Sequence, residues 1–116
     1  MNPIRKKYFS FTIIAMFFLL FATSFVSANP ISEVSRSKAV ADLKAELLKT
    51  YGSSYSTVEM LLNAGMKAYD TLISIPDNSV NNDILRELTK TYYPSFSTIL
   101  MLYKANKESY DKLNKQ

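Results

Sequence analysis

Residues 42–72 and 83–113 read as one segment written twice. The first is DLKAELLKTYGSSYSTVEMLLNAGMKAYDTL and the second DILRELTKTYYPSFSTILMLYKANKESYDKL; aligned without a gap, fifteen of the 31 positions are identical. The matches include Asp42/Asp83, Glu46/Glu87, Leu47/Leu88, Tyr51/Tyr92, Ser54/Ser95, Met60/Met101, Tyr69/Tyr110 and Leu72/Leu113, with Tyr55/Phe96 and Val58/Ile99 as conservative pairs. Self-similarity at a fixed offset of 41 residues reads as an internal duplication, and it limits the fold to a unit that packs against its own likeness.

Each copy parses as two helices. Val40, Leu43, Leu47 and Tyr51 recur at three- and four-residue intervals, which places them on one helical face. Gly52 follows, where a helix end most easily takes a left-handed residue. Ser56-Thr57-Val58-Glu59 has the form of a capping box, with Tyr55 and Met60 placed as its hydrophobic staple. Val58, Leu61, Leu62, Gly65, Ala68, Tyr69 and Leu72 continue the apolar stripe of that second helix. In the other copy Ile84, Leu85, Leu88 and Tyr92 form the first face, and Pro94 stops the helix. Ser97 is then the expected cap and Phe96/Met101 the expected staple, ahead of a stripe through Ile99, Leu102, Tyr103, Asn106, Tyr110 and Leu113. Pro76-Asp77-Asn78 is turn chemistry between the copies.

A lone hairpin has no second layer to bury its stripe. The expected fold is therefore all-α, a four-helix domain over 37–116 made of two tandem hairpins facing each other. The duplication favours a pseudo-twofold relation between them, with a one-way stack as the alternative.

Ahead of this domain lies a different kind of segment. Arg5, Lys6 and Lys7 precede an uncharged apolar run from Phe9 to Val26, and Val26-Ser27-Ala28 sets small side chains before Asn29. Charge, apolar run and small-residue exit in that order make residues 1–28 a cleavable signal peptide, with 29–36 a flexible lead-in. An uncleaved membrane anchor is the minority alternative, since the run of about 18 residues is at the lower limit for a spanning helix. The expected location is the periplasm or the medium, and the Lys/Asn/Tyr-rich composition has a bacterial look.

Charge is informative only once the leader is set aside. The chain carries 14 Lys/Arg and 10 Asp/Glu; loss of Arg5, Lys6 and Lys7 leaves 11 against 10, a net of +1. Such a balance gives no clustered basic face for nucleic acid. Removing residues 1–28 from a chain of 116 leaves 88, one small domain with no cysteine to staple it. Self-association would add to its stability.

The chain also lacks histidine and tryptophan, so Ser–His and Cys–His nucleophiles, thiolate or imidazole metal sites and histidine haem ligation are out. Asp77, Ser79, Asn81 and Asp83 alternate like the first ligands of a calcium loop. The pattern then fails, because Asn82 stands where glycine is needed and Leu88 where the closing glutamate belongs. Carboxylates at matched positions favour a structural role over a catalytic one. No catalytic, cofactor or metal residue is assigned.

The expectation is a non-enzymatic protein that binds another envelope or extracellular protein, of the inhibitor, immunity/exclusion or chaperone type. The candidate contacts are the corner aromatics Tyr51, Tyr55, Tyr92, Tyr93 and Phe96, since tyrosine offers a large contact area with a polar tip. Core and corner packing explains the same residues, as it does Tyr69-Asp70 and Tyr110-Asp111. The alternative function is a membrane-surface or signal-anchored module, with Lys104, Lys107, Lys112 and Lys115 on the last helix facing anionic lipid.

Overall fold

The computed structural model describes residues 28–116, and among them the protein is all-helical, with four α-helices and no strand. Apart from Ala28, the leader expected over residues 1–28 lies outside the described residues. The helices are α1 (Arg36–Tyr51), α2 (Tyr55–Ile73), α3 (Ser79–Tyr92) and α4 (Phe96–Asn114), preceded by a 3-10 turn over Pro30–Glu33.

Local chemistry sets the ends. Ser35 caps α1, its hydroxyl accepting from the Lys38 amide at 3.2 Å. Gly52 closes α1 at φ 57°, its amide donating to the Leu48 carbonyl. Asn78 caps α3 by accepting from the Asn81 amide at 2.8 Å. Tyr93 leaves that helix at ψ 135°, the extended geometry imposed by the following Pro94. The second helix of each half departs from the expected cap. Both begin two residues early, at Tyr55 and Phe96, with Ser54 and Ser95 at the N-cap and no side-chain cap bond. The Ser54 main-chain carbonyl already takes the Thr57 and Val58 amides, so the Ser56–Glu59 box and the Ser97 cap do not form. Neither staple forms. Met60 and Met101 are exposed, Tyr55 projects into solvent, and Phe96 turns into the core.

The helix backbones neighbour one another in the order α1, α2, α4, α3, and the 3-10 turn bridges α2 and α3. One core results, built on Ile31, Ala39, Leu43, Tyr69, Leu72, Leu85, Phe96 and Ile99. The α1–α2 approach is close enough that a Cβ at Gly65 would overlap Leu43 Cδ2, which is why glycine fits there.

The lead-in, expected to be flexible, is part of this core. Asn29 is only 3% exposed. Its amide nitrogen donates to the Leu72 carbonyl at 2.9 Å, and its side-chain oxygen accepts from the Ile31 amide at 2.9 Å. Pro30 supplies the fixed φ that a first helical position favours, and Ile31 is buried beside it. Tyr69 finds its phenol partner here too, donating to the Val34 carbonyl at 2.6 Å.

A twofold relation between the halves does not describe this packing. Symmetry would put matched positions in like surroundings. Instead Tyr55 is 69% exposed and Phe96 1%, Tyr69 2% and Tyr110 41%, Leu72 0% and Leu113 72%. The 3-10 turn accounts for Tyr69 and Leu72, because it covers α2 and has no counterpart over the end of α4. Phe96 is different. Its burial comes from the α3–α4 corner lying against the first hairpin, a contact the α1–α2 corner does not return.

Candidate interaction surface

The five corner aromatics divide into an inner and an outer group. Phe96 is a core residue, its ring meeting Tyr69 edge-on at 5.2 Å between centroids and Tyr93 at 5.5 Å. Tyr93 is partly buried, and its hydroxyl donates to the Asp42 carboxylate on α1. Burial raises the Tyr93 phenol pKa, and the facing Asp42 charge raises it further. Asp42 is held below the usual carboxylate range, first by the Lys38 ammonium at 2.7 Å and then by the Tyr93 hydroxyl. Tyr93 therefore stays a neutral donor, and this pair ties the α3–α4 corner to α1. Tyr51, Tyr55 and Tyr92 remain exposed and make up the outer group.

The two Tyr-Asp pairs likewise part company. On α2, Tyr69 points inward while Asp70 receives a two-point grip from Arg36, with Nε and Nη2 each 3.1 Å from a carboxylate oxygen. That guanidinium lowers the Asp70 pKa, and the carboxylate raises that of Arg36. Burial raises the Tyr69 phenol. On α4, Asp111 pairs with Lys107 at 2.7 Å, and the same ammonium lies 5.5 Å from the centre of the exposed Tyr110 ring.

The turn once compared with a calcium loop has other work. Asn81 is buried; its amide nitrogen donates to the Pro76 carbonyl at 3.0 Å, and its side-chain oxygen accepts from Tyr103 at 2.9 Å. These bonds pin the turn between α2 and α3 to α3 and α4. Among the described residues no group of three or more Asp, Glu, His or Cys is placed to hold a metal ion.

Three shallow grooves cross the surface. One of about 430 Å³ runs between α2 and α4 and is lined by Ala64, Lys67, Ala68, Leu100, Met101 and Lys104 among others. A second, about 310 Å³, lies where Tyr93 and Pro94 meet Asp42, Glu46 and Lys49 of α1. The third, about 520 Å³, separates the lead-in from α3 and mixes Glu33 with Lys38, Arg86 and Lys90. On the last helix Lys107 and Lys112 are paired with Asp111 and Glu108, which dilutes the basic face expected there. No helix among the described residues is long and apolar enough to cross a membrane.

Asn29 is the residue that sequence reasoning undervalued. Asn followed by Pro is a helix-start signature, a capping side chain ahead of a preset φ, and it stood in plain view next to the small residues Val26-Ser27-Ala28. Comparison with protein-family models, with curated proteins and with solved structures finds no match to this chain.

Proposed function

We infer that this chain is an exported, non-enzymatic interaction protein that binds another protein of the envelope or the medium through its exposed helix corners. The observation carrying this reading is the outward set of aromatics, Tyr51, Tyr55 and Tyr92, on a domain small enough to need its apolar rings inside. Exposed tyrosines offer a partner large contact area with a polar tip. Support for export is the order of Arg5–Lys7, the apolar run and Val26-Ser27-Ala28, together with Asn29 anchored in the core one residue past the proposed cut. Support for duplication is the 41-residue offset, which also relates the ends of α1 and α3 and both ends of α2 and α4.

The test is site-specific photo-crosslinking in producing cells. A photoreactive phenylalanine analogue replaces Tyr51, Tyr55 or Tyr92 in turn, and exposed Asn63 on the flank of α2 serves as control. A discrete adduct with one other protein at the corner positions, absent at Asn63, is the expected result. Equal or absent labelling at all four positions overturns the reading.

A further inference from the structure

The contact between the two halves of this chain is one-directional, and that leaves a complementary surface open at each end. Inside the molecule, the α3–α4 corner of the second copy docks on the face of the first. The Phe96 ring meets Tyr69 edge-on at 5.2 Å, and the Tyr93 hydroxyl reaches Asp42. Stepping back 41 residues from the docked corner gives Tyr55 in place of Phe96; stepping forward from the receiving face gives Tyr110 for Tyr69 and Asp83 for Asp42. All three of these counterparts are solvent-exposed. The first copy therefore has a free corner, and the second copy a free receiving face.

We propose that the Tyr55 corner of one molecule docks on the α3–α4 face of a second copy of this chain, repeating between molecules the contact already made within each. The proposal rests on the duplication reading and goes beyond the partner reading, since self-docking at Tyr55 would give a crosslink between two copies of this chain at that position. Three features fit it. The receiving face keeps the carboxylate, and Glu87 and Lys90 repeat Glu46 and Lys49 beside it. Lys107 lies against the Tyr110 ring and fixes its place on the surface. The aromatic pair becomes Tyr55 on Tyr110, more polar than Phe96 on Tyr69, as suits rings that spend time in water.

The intermolecular contact is weaker than its model. Gly52 replaces Tyr93, so no phenol reaches Asp83, and Arg86, in the place of Ala45, already pairs with that carboxylate at 3.6 Å. Reversible, concentration-dependent assembly follows. Because the two surfaces differ, the contact is heterologous and each added molecule again exposes one corner and one face.

Sedimentation velocity on the protein made from its full sequence, across roughly 10 μM to 1 mM, reads this directly. Wild type is expected to grow past the dimer with concentration. Tyr55→Glu and Tyr110→Glu alter exposed side chains, so circular dichroism should be unchanged, and each alone should weaken assembly at least tenfold. An equimolar mixture of the two variants is the decisive arm. One supplies an intact face and the other an intact corner, so the mixture should form a dimer that cannot extend. A monomer at all concentrations, assembly indifferent to either substitution (as the apolar leader alone would produce), or a mixture that stays monomeric overturns the proposal. Because this assay contains only one protein, its failure is distinguishable from failure to crosslink another protein in cells.

Discussion

Truncating Phe96 to alanine removes a fully buried ring that touches Tyr69 and Tyr93 and closes the corner over the first hairpin. Loss of a buried phenylalanine costs about 3–5 kcal/mol, the transfer term plus the cavity left behind. The whole stability of a domain this size is only roughly 5–15 kcal/mol, so Phe96→Ala should lower the midpoint of thermal unfolding by well over 10 °C. Tyr55→Ala is the same kind of truncation at the matched position, but on a side chain already in water. Its cost should fall within about 0.5 kcal/mol. Urea unfolding followed by helical circular dichroism at low protein concentration measures both, and Phe96→Leu, expected at about 1.5 kcal/mol, gives a reading if the alanine variant does not fold. Equal losses at Phe96 and Tyr55 would refute the one-directional packing and restore a symmetric pairing of hairpins.

Other perturbations probe separate parts of the account. Asn29→Ala leaves the Ile31 amide without its partner and removes one donor from the Leu72 carbonyl, which keeps the Ile75 amide at 3.2 Å, and should cost about 1–3 kcal/mol in the same urea assay; a cost near zero would mean that the lead-in is not docked. Gly65→Ala gains helix propensity but forces its methyl group onto buried Leu43, for a net loss of about 1 kcal/mol, and a stabilised variant would contradict the close α1–α2 approach. Asp42 and Asp70 have pKa values depressed in the folded state, so their contribution is present above the unfolded carboxylate range, near pH 4, and is lost as pH falls through the lower folded values. Urea midpoints should therefore drop below about pH 4, and Asp42→Asn with Asp70→Asn should flatten that slope; an unchanged slope would remove both pairs from the acid response.

Much of the architecture was legible because helical periodicity is a local signal. The spacing of Leu43, Val58, Tyr69, Leu72, Leu85 and Ile99 puts each on the face that the structure buries. What could not be read was which apolar positions the tertiary contacts would actually reach. Tyr110 and Leu113 have the same helical phase as Tyr69 and Leu72, yet only Tyr69 and Leu72 lie under the 3-10 turn. The caps failed for a related reason: Ser53, Ser54 and Ser56 all have capping chemistry, and the helix starts where the Ser54 main-chain carbonyl takes the Thr57 and Val58 amides, which a serine count does not reveal. Of the candidate contact set, phenol chemistry alone could not separate Phe96 and Tyr93, turned inward by the docking of one corner, from Tyr51, Tyr55 and Tyr92, which nothing among the described residues covers. Lysines on α4 looked like a basic face until their i,i+4 carboxylates were placed beside them.

The envelope or extracellular partner proposed for the corners depends on the chain reaching a compartment outside the cytoplasm. Intact mass of the protein recovered from its own host, fraction by fraction, tests that most directly. The account predicts a species beginning at Asn29, found in the soluble envelope or the medium, with the small residues of Val26-Ser27-Ala28 removed along with the leader. A species that keeps residues 1–28 and stays in the cytoplasm would contradict it.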